Sequence, residues 1–284
     1  MPPQPPLDCA GKPLDLSHPQ VMGVLNVTPD SFSDGGDFFS VGAACDRALA
    51  MAEQGAAVID LGGESTRPGA APVPAAQEID RVVPVIEALQ DTLPVPISID
   101  TRKPEVMRAA VAAGAGLIND VGALRAPGAL QAAAACGVPV CLMHMQGEPG
   151  TMQADPRYDD VVAEVRHFLA ARVAACEAAG IDRGRLLVDP GFGFGKNDDH
   201  NLALLAGLRD IAGLGLPLLV GLSRKSMIGR LLGLEVHERL ASSLALAMMA
   251  VERGARLVRA HDVAETWQAL QLYTAVVEHG VKPA

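Results

Sequence analysis

The strongest constraint on the fold is an apolar segment that recurs eight times, each time ending at or near a polar residue. The eight segments are residues 21–27, 57–61, 96–100, 116–121, 138–145, 186–190, 217–222 and 256–260. Helical patterns of apolar residues lie between them at residues 41–54, 75–90, 104–113, 158–179 and 237–253, and a last one spans residues 263–278. Eight strands that alternate with helices predict a single closed (β/α)8 TIM barrel of the α/β class.

The predicted strands are apolar throughout, as expected where helices cover the outside of a barrel and side chains fill its interior. An open, doubly wound sheet is the alternative fold. It is disfavoured because no Gly-x-Gly-x-x-Gly turn follows the first strand. We therefore predict an N-terminal extension at residues 1–20 and one barrel domain at residues 21–284.

Composition narrows the classes of partner. The net charge of −10 argues against nucleic acid or a membrane surface as a partner. The five cysteines are odd in number and lack metal-ligand spacing, which indicates a reduced protein rather than a disulfide framework. Residues 1–6 are rich in proline and lack the apolar core of a secretion signal. We therefore expect a cytoplasmic protein that acts on small molecules.

The polar residues at the strand ends are the candidates for function, because the active sites of these barrels lie at the carboxyl ends of the strands. They are Asn26, Asp60, Asp100, Asn119, His144, Asp189, Ser223, Lys225, Arg259 and His261. Carboxylates and amides follow the middle strands, and cations follow only the last two. This polarity predicts a ligand with a flat part rich in N–H donors and a separate anionic part.

Some of these residues have a purely structural alternative. Asp100 stands close to Thr101 and Pro104, so it is also a candidate for capping the next helix. Arg224 is more readily interpreted as a solvated surface cation than as a ligand contact. Arg259 and His261 are two residues apart on a strand, so both side chains are expected on the same face.

Two long loops follow the first two predicted strands. Both are rich in glycine and hydroxyl groups, and they cover residues 26–36 and 62–70. Loops of this kind above a barrel mouth are typical of lids that close over a substrate. Phe32, Arg67 and Pro68 within them are candidate ligand contacts.

Four motifs at these positions make the chain similar to dihydropteroate synthases. They read GVLNVTPDSFSDGG at residues 23–36, GGESTRPG at 62–69, DPGFGFGK at 189–196 and SRKS at 223–226. The resemblance covers nearly the whole chain. It implies a transferase of folate biosynthesis that joins p-aminobenzoate to (7,8-dihydropterin-6-yl)methyl diphosphate and releases diphosphate.

The resemblance also implies roles for single residues. The pterin would be bound by Asp100, Asn119, Asp189 and Lys225, with Met143 and Phe194 beside the ring. The diphosphate would contact Asn26, Thr66, Arg259 and His261, with Mg²⁺ bound through Asn26. The p-aminobenzoate would lie near Phe32, Thr66, Arg67, Pro68 and Ser226. The family also suggests a homodimer and sensitivity to sulfonamides.

The implied chemistry is mainly electrostatic. Departure of the diphosphate leaves a cation delocalised into the pterin, and Mg²⁺, Arg259 and His261 neutralise the leaving charge. Asp34 is the candidate for stabilising the cation. The residues expected to take part in catalysis are Asn26, Asp34, Lys225, Arg259 and His261.

Two other functions are considered. A pterin-binding methyltransferase barrel would share the pterin acceptors but would need no diphosphate site, so residues 223–226, Arg259 and His261 argue against it. A catalytically inactive pterin-binding paralogue is expected to have lost one of the two loop motifs, and both are present.

Overall fold

The computed structural model describes residues 5–28, 40–65, 72–148 and 150–280. Its strands are β1 (Leu7–Cys9), β2 (Lys12–Leu14), β3 (Gln20–Asn26), β4 (Ala56–Gly62), β5 (Ile97–Asp100), β6 (Leu117–Asp120), β7 (Val140–Met143), β8 (Leu186–Asp189), β9 (Leu218–Val220) and β10 (Ala255–Ala260). Strands β3 to β10 form a closed barrel in chain order, with every neighbouring pair parallel. The predicted (β/α)8 barrel is confirmed, and the open sheet is excluded.

Helices surround the barrel and supply the outer half of the core. They are α1 (Val41–Glu53), α2 (Ala75–Leu89), α3 (Pro104–Ala112), α4 (Ala129–Cys136), α5 (Val161–Ala178), α6 (Asp198–Ala206), α7 (Leu208–Ala212), α8 (Ser226–Leu232), α9 (Leu240–Glu252) and α10 (Val263–Glu278). Buried Ala, Val, Leu and Ile side chains fill the layer between helices and strands. Continuously apolar strands are therefore explained by burial on both faces.

Two helices begin later than their apolar periodicity predicts. Helix α5 begins at Val161 because Asp160 accepts the Val162 and Ala163 amide hydrogens through its side chain. Helix α9 begins at Leu240, and residues 236–238 form a separate 3-10 turn. In both places the apolar periodicity begins a few residues before the first residue of the helix.

The sequence did not predict the hairpin formed by β1 and β2. Its side chains Leu7, Cys9 and Leu14 are buried with residues from the amino-terminal ends of the barrel strands. The Lys12 Nζ atom donates to the carbonyl oxygens of Gln90 and Leu93, each at 2.7 Å. The hairpin therefore closes the end of the barrel opposite the predicted active site.

Helix α10 and the other helices are too short or too polar to cross a membrane, within the part of the chain that the structure describes. The five cysteines are free thiols. No group of three or more His, Cys, Asp or Glu side chains lies close enough to hold a metal among the described residues.

Candidate active site

The carboxyl ends of the barrel strands bring most of the predicted residues to one rim. Parallel register places Asp100 beside Asn119 and Met143 beside Asp189. Asp60 lies opposite Ser98 on the neighbouring strand. The predicted carboxylate and amide residues therefore lie together at the barrel mouth.

Asp60 organises one side of this rim. Its carboxylate is fully buried and accepts hydrogen bonds from Ser98 Oγ at 2.6 Å, Asn119 Nδ2 at 3.1 Å and Arg259 Nε at 2.6 Å. A buried carboxylate requires such partners because desolvation without compensation is costly. The sequence placed Asp60 at a strand end but gave it no role. Its only signal was a charge inside an apolar strand.

Arg259 connects two carboxylates across the rim. Its Nε donates to Asp60 and its Nη2 donates to Asp100 Oδ2 at 3.1 Å. This positively charged group lies at the junction between the carboxylate-rich strands and the cation-bearing strands. The predicted contact between Arg259 and a diphosphate stays a prediction.

Asp100 is a buried carboxylate with an unused acceptor. Its Oδ1 atom is buried and makes no hydrogen bond among the described residues, while Oδ2 accepts from Arg259. The alternative that Asp100 caps α3 is wrong, because Lys103 is the N-cap residue and no side-chain bond caps that helix. Burial raises the pKa of Asp100 to about 7, and the Arg259 guanidinium opposes this shift only in part.

A change at Asp100 should alter the pH dependence of stability. The pKa of Asp100 rises from 3.8 to about 7 on folding, so the folded state holds its proton more tightly and loses stability as pH rises through that range. We expect Asp100→Asn to remove this loss. Its free energy of unfolding, relative to the wild type, should rise by on the order of 2 kcal/mol between pH 5 and pH 8. Urea denaturation at both pH values measures the difference, and a constant offset would contradict the assignment.

Asp189 is the second predicted pterin acceptor, and Lys225 lies on the same side of the mouth. Asp189 Oδ1 accepts the Gly191 amide at 2.7 Å. Burial raises the pKa of Asp189 to about 6 against the Gly191 amide and the nearby lysines. Burial lowers the pKa of Lys225 to about 8, although Asp189 opposes the shift. The charges of this pair are therefore weakly solvated and available to a ligand.

One wall of the pocket is apolar. Met143 is buried with Val121, Met145 and Met152, and Phe194 packs against this cluster. The Lys225 Nζ atom lies 4.6 Å from the centre of the Phe194 ring. A flat ring bound to Asp189 would therefore meet thioether and aromatic surface.

The glycine-rich segment after β8 follows a path that only glycine tolerates. Gly191, Gly193 and Gly195 have φ values of 69°, 78° and 60°. A Cβ atom on Gly191 would collide with the His144 carbonyl oxygen, and one on Gly195 would collide with the Gln146 carbonyl oxygen. The close contact that requires glycine at these two positions is therefore with the backbone after β7.

Lys196, which the sequence analysis placed in a motif without a role, holds this segment from inside. Its side chain is buried, and Nζ lies 2.9 Å from His144 Nδ1 and donates to the carbonyls of Gly191 at 2.9 Å and Phe194 at 3.0 Å. Burial, and then the charge of Lys196, lowers the pKa of His144 to about 2. Neutral His144 can therefore accept the third lysine proton.

We expect Lys196→Met to destabilise the fold by about 2–3 kcal/mol, because two buried carbonyls and an imidazole lose their donor. The measurement is the urea midpoint at unchanged m-value. Lys12→Met is the matched control, since Lys12 also donates to two carbonyls but at the exposed hairpin. Equal losses in the two variants would show that burial of Lys196 contributes nothing.

The side of the rim predicted to bind an anion is formed by residues that follow β9 and β10. His261 Nδ1 lies 3.0 Å from Ser223 Oγ, which also accepts the His261 amide at 3.2 Å. Burial, and then the charges of Arg259 and Arg224, lowers the pKa of His261 to about 4. His261 is therefore neutral at pH 7. Ser226 is the first residue of α8.

Arg224 and Asn26 complete the described anion side. Arg224 forms an ion pair with Asp262 and is partly exposed, so it lies at the surface, and its interpretation as a surface cation rather than a ligand contact stays a prediction. Asn26 ends β3 and pairs with Gly62 at the end of β4. A Cβ atom added to Gly62 would lie 3.8 Å from the Asn26 side-chain oxygen and 3.8 Å from Asp100 Oδ2. The predicted residues Phe32, Asp34, Thr66, Arg67 and Pro68 lie outside the described residues.

The amino-acid sequence is similar to known proteins over nearly the whole chain. Residues 22–261 match the family of pterin binding enzymes. The dihydropteroate synthase of Escherichia coli (strain K12) is 56% identical over 267 residues, which cover 94% of this chain and 95% of that protein. The dihydropteroate synthase of Haemophilus influenzae is 50% identical, with 93% of this chain and 96% of the relative covered.

Solved structures give the same result. A Xanthomonas albilineans dihydropteroate synthase with 4-aminobenzoic acid is 57% identical, covers 96% of this chain and 98% of its own, and superposes with a TM-score of 0.91. The same enzyme in complex with 7,8-dihydropteroate is 55% identical over 96% of this chain and 99% of its own, with a TM-score of 0.88. This chain therefore belongs to the pterin-binding enzyme family and, within it, to the dihydropteroate synthases.

Proposed function

We propose that this protein condenses (7,8-dihydropterin-6-yl)methyl diphosphate with p-aminobenzoate to give 7,8-dihydropteroate and diphosphate. The observation that carries the proposal is the division of one barrel mouth into two chemically different sides. Buried carboxylates with acceptor capacity lie at Asp100 and Asp189, and nitrogen donors lie at Arg259 and His261. A pterin diphosphate has the same division, with a donor-rich ring at one end and an anion at the other.

The side of the rim that carries Asp100, Asn119 and Asp189 offers acceptors for N–H donors. Among the described residues Asp100 Oδ1 has no hydrogen-bond partner, and Asp189 retains acceptor capacity beyond its bond to Gly191. Asn119 adds an amide that is oriented by Asp60. A donor pair from the ring favours the ionised carboxylates, so binding lowers the raised pKa values of both groups.

The diphosphate side needs neutralisation of several negative charges. Arg259 supplies a permanent charge, and its two bonds to carboxylates fix the plane of the guanidinium. A neutral His261 can donate one ring N–H, and Ser223 fixes the ring through the other nitrogen. Both groups stabilise the leaving diphosphate more than the bound substrate, because charge accumulates there as the C–O bond breaks.

Mg²⁺ is proposed as the cofactor, held through Asn26. One amide oxygen at the rim, without a ready-made cluster of carboxylates among the described residues, fits an ion that keeps water and substrate phosphate as most of its ligands. When bound, Mg²⁺ supplies further charge neutralisation to the leaving group. Asn26 would orient the diphosphate of the substrate, and Arg259 and His261 would bind it.

The second substrate is proposed to enter between the loops that follow β3 and β4 and the start of α8. Ser226 begins α8, so its backbone amide would interact favourably with the carboxylate of p-aminobenzoate. Phe32, Thr66, Arg67 and Pro68 are proposed to enclose the p-aminobenzoate ring. The diphosphate leaves first, and the neutral amine then attacks the methylene carbon of the resulting pterin cation. Asp34 is proposed to stabilise the pterin cation, and the departing diphosphate takes the amine proton.

The direct test of the reaction is release of diphosphate by the purified protein with both substrates and Mg²⁺. We expect diphosphate and 7,8-dihydropteroate in equal amounts, and neither product when p-aminobenzoate is omitted. A methyltransferase would instead consume methyltetrahydrofolate, and an inactive pterin-binding paralogue would bind the pterin without releasing diphosphate. Either result would overturn the proposal.

A homodimer is the proposed assembly. Large apolar side chains are exposed on the last two helices, namely Met249 on α9 and Leu272, Val276 and Val277 on α10. Exposed apolar side chains on two helices that pack against each other are candidates for a protein interface. Sedimentation equilibrium should give twice the 29.4 kDa mass of the chain, and a monomer at micromolar concentration would contradict the proposal.

A further inference from the structure

We infer that Lys103 is a positioning residue for p-aminobenzoate, acting through an ion-pair cluster with Glu64 and Glu78 that closes the neck of the loop after β4. This neck cluster is defined by the three side chains Glu64, Glu78 and Lys103. The inference rests on the proposed function, because it concerns the substrate that residues 66–68 are proposed to contact.

Glu64 joins the two described ends of the loop. One of its carboxylate oxygens, Oε1, accepts the Val73 amide at 2.7 Å, and the other, Oε2, lies 3.1 Å from Lys103 Nζ. A single side chain therefore links residue 64 to residue 73 and links both to the turn before α3. Glu64 belongs to the GGESTRPG motif, and the proposed reaction gives it no chemical role.

Glu78 makes the lysine necessary. It lies in the first turn of α2 and is fully buried, and its Oε2 accepts from Lys103 Nζ at 2.5 Å. A buried carboxylate without a cation would carry a large desolvation cost. Lys103 therefore stays in place whether or not a substrate is bound, and its charge is shared between the helix and the loop neck.

The backbone of Gly63 also packs against α2, and this contact does not depend on the charges of the neck cluster. The Gly63 carbonyl accepts from Arg81 Nη1 at 2.8 Å. A Cβ atom on Gly63 would lie 2.7 Å from Val82 Cγ1 and 2.9 Å from Glu78 Cγ, which is closer than packed carbon atoms allow. Only glycine lets the neck lie directly against the helix here.

The cluster also ties this loop to the pterin pocket. Lys103 is the N-cap residue of α3 and follows the proposed pterin acceptor Asp100 by three residues. Its own amide donates to Thr101 Oγ1 at 3.2 Å. The same short turn thus holds the loop neck and the carboxylate that binds the ring. The cluster thereby holds the two described ends of the loop, residues 64 and 73, against the turn that follows Asp100.

The test is steady-state kinetics and pterin binding for Lys103→Met. We expect the KM for p-aminobenzoate to rise at least about 10-fold, equivalent to about 1.4 kcal/mol. The Kd for the pterin diphosphate, measured by calorimetry, should change less than about 3-fold, because Asp100 and Asp189 remain. Lys103→Arg should recover most of the KM. Arg183→Met, which breaks an exposed pair with Glu177, is the control and should change neither quantity.

A second variant guards against simple unfolding of Lys103→Met. Gly63→Ala keeps every charge but displaces the neck from α2, so it should raise the KM for p-aminobenzoate in the same way. Hydrogen exchange adds a readout without turnover, because the Val73 amide should exchange at least about 10-fold faster once Glu64 loses its anchor.

The outcomes separate the inference from the proposed function. Unchanged KM in folded Lys103→Met and in Gly63→Ala would overturn the inference, as would equal rises in KM and pterin Kd. A wild-type protein that releases no diphosphate would overturn the proposed function and with it the assignment of the substrate. In that case faster Val73 exchange in Lys103→Met would still support the neck cluster itself.

Discussion

Replacing Arg259 with methionine should lower kcat by about 1000-fold, the upper end of the range found when a donor that stabilises developing negative charge is removed. The reason is geometric as well as electrostatic. Asp60 and Asp100 hold the guanidinium plane through two bonds, so Arg259 would need no reorganisation to contact the departing diphosphate. Single-turnover kinetics with saturating substrates measures the chemical step directly.

Two controls make this result interpretable. Arg259→Met leaves the buried Asp60 carboxylate without its cation, which should destabilise the fold by about 3–5 kcal/mol. Adding Asp60→Asn removes that charge and should recover stability but not turnover. Arg259→Lys keeps the charge without the planar fork and should remain well below the wild type. Recovery of full kcat by Arg259→Lys would show that orientation of the guanidinium is unimportant.

Replacing Asp189 with asparagine should weaken pterin binding by at least about 100-fold, or about 3 kcal/mol, because a buried donor of the ligand then faces an amide instead of a carboxylate. The KM for p-aminobenzoate should change little. Calorimetry with a 6-hydroxymethylpterin measures the affinity without turnover. A variant that binds within about 3-fold of the wild type would remove Asp189 from the pterin site.

Asp182 offers a close match as a control for this experiment. Its Oδ1 accepts the amide of the residue two positions later, Gly184, at 2.6 Å, as Asp189 Oδ1 accepts from Gly191. Asp182 precedes β8, whereas Asp189 ends it, so the two turns lie at opposite ends of one strand. Asp182→Asn should therefore leave pterin affinity unchanged. Any shared effect would come from the turn and not from the pocket.

The positions of the main site residues follow directly from the sequence. Polar residues at or next to the carboxyl end of an apolar strand lie at the rim of a parallel barrel, which is why the rim positions of Asp100, Asn119 and Asp189 could be predicted. The contacts among them do not follow in the same way. The bonds of Arg259 to Asp60 and Asp100 span 199 and 159 residues, so no local pattern encodes them.

Lys196 and Lys103 show the same limit for the residues that support the site. Lys196 follows a glycine-rich segment and has no predicted role in the sequence, yet it is buried beneath that segment. Lys103 resembles any surface lysine at a helix start, yet it neutralises a fully buried Glu78. Their roles depend on which carboxylates and carbonyls the fold buries nearby. The hairpin of β1 and β2 was missed for a related reason, since three-residue strands carry too little periodicity.

The sequence by itself determined the number of barrel strands, the end of the barrel that carries the polar residues and the identity of those residues. These properties are local, because burial on both faces makes a strand apolar, and the polar residues near its carboxyl end lie where solvent or a ligand can reach them. Only the tertiary structure decided which charges pair, which acceptor of Asp100 stays open and which lysines are buried. Those outcomes depend on desolvation and on distances between segments far apart in the chain, and both exist only after the barrel has closed.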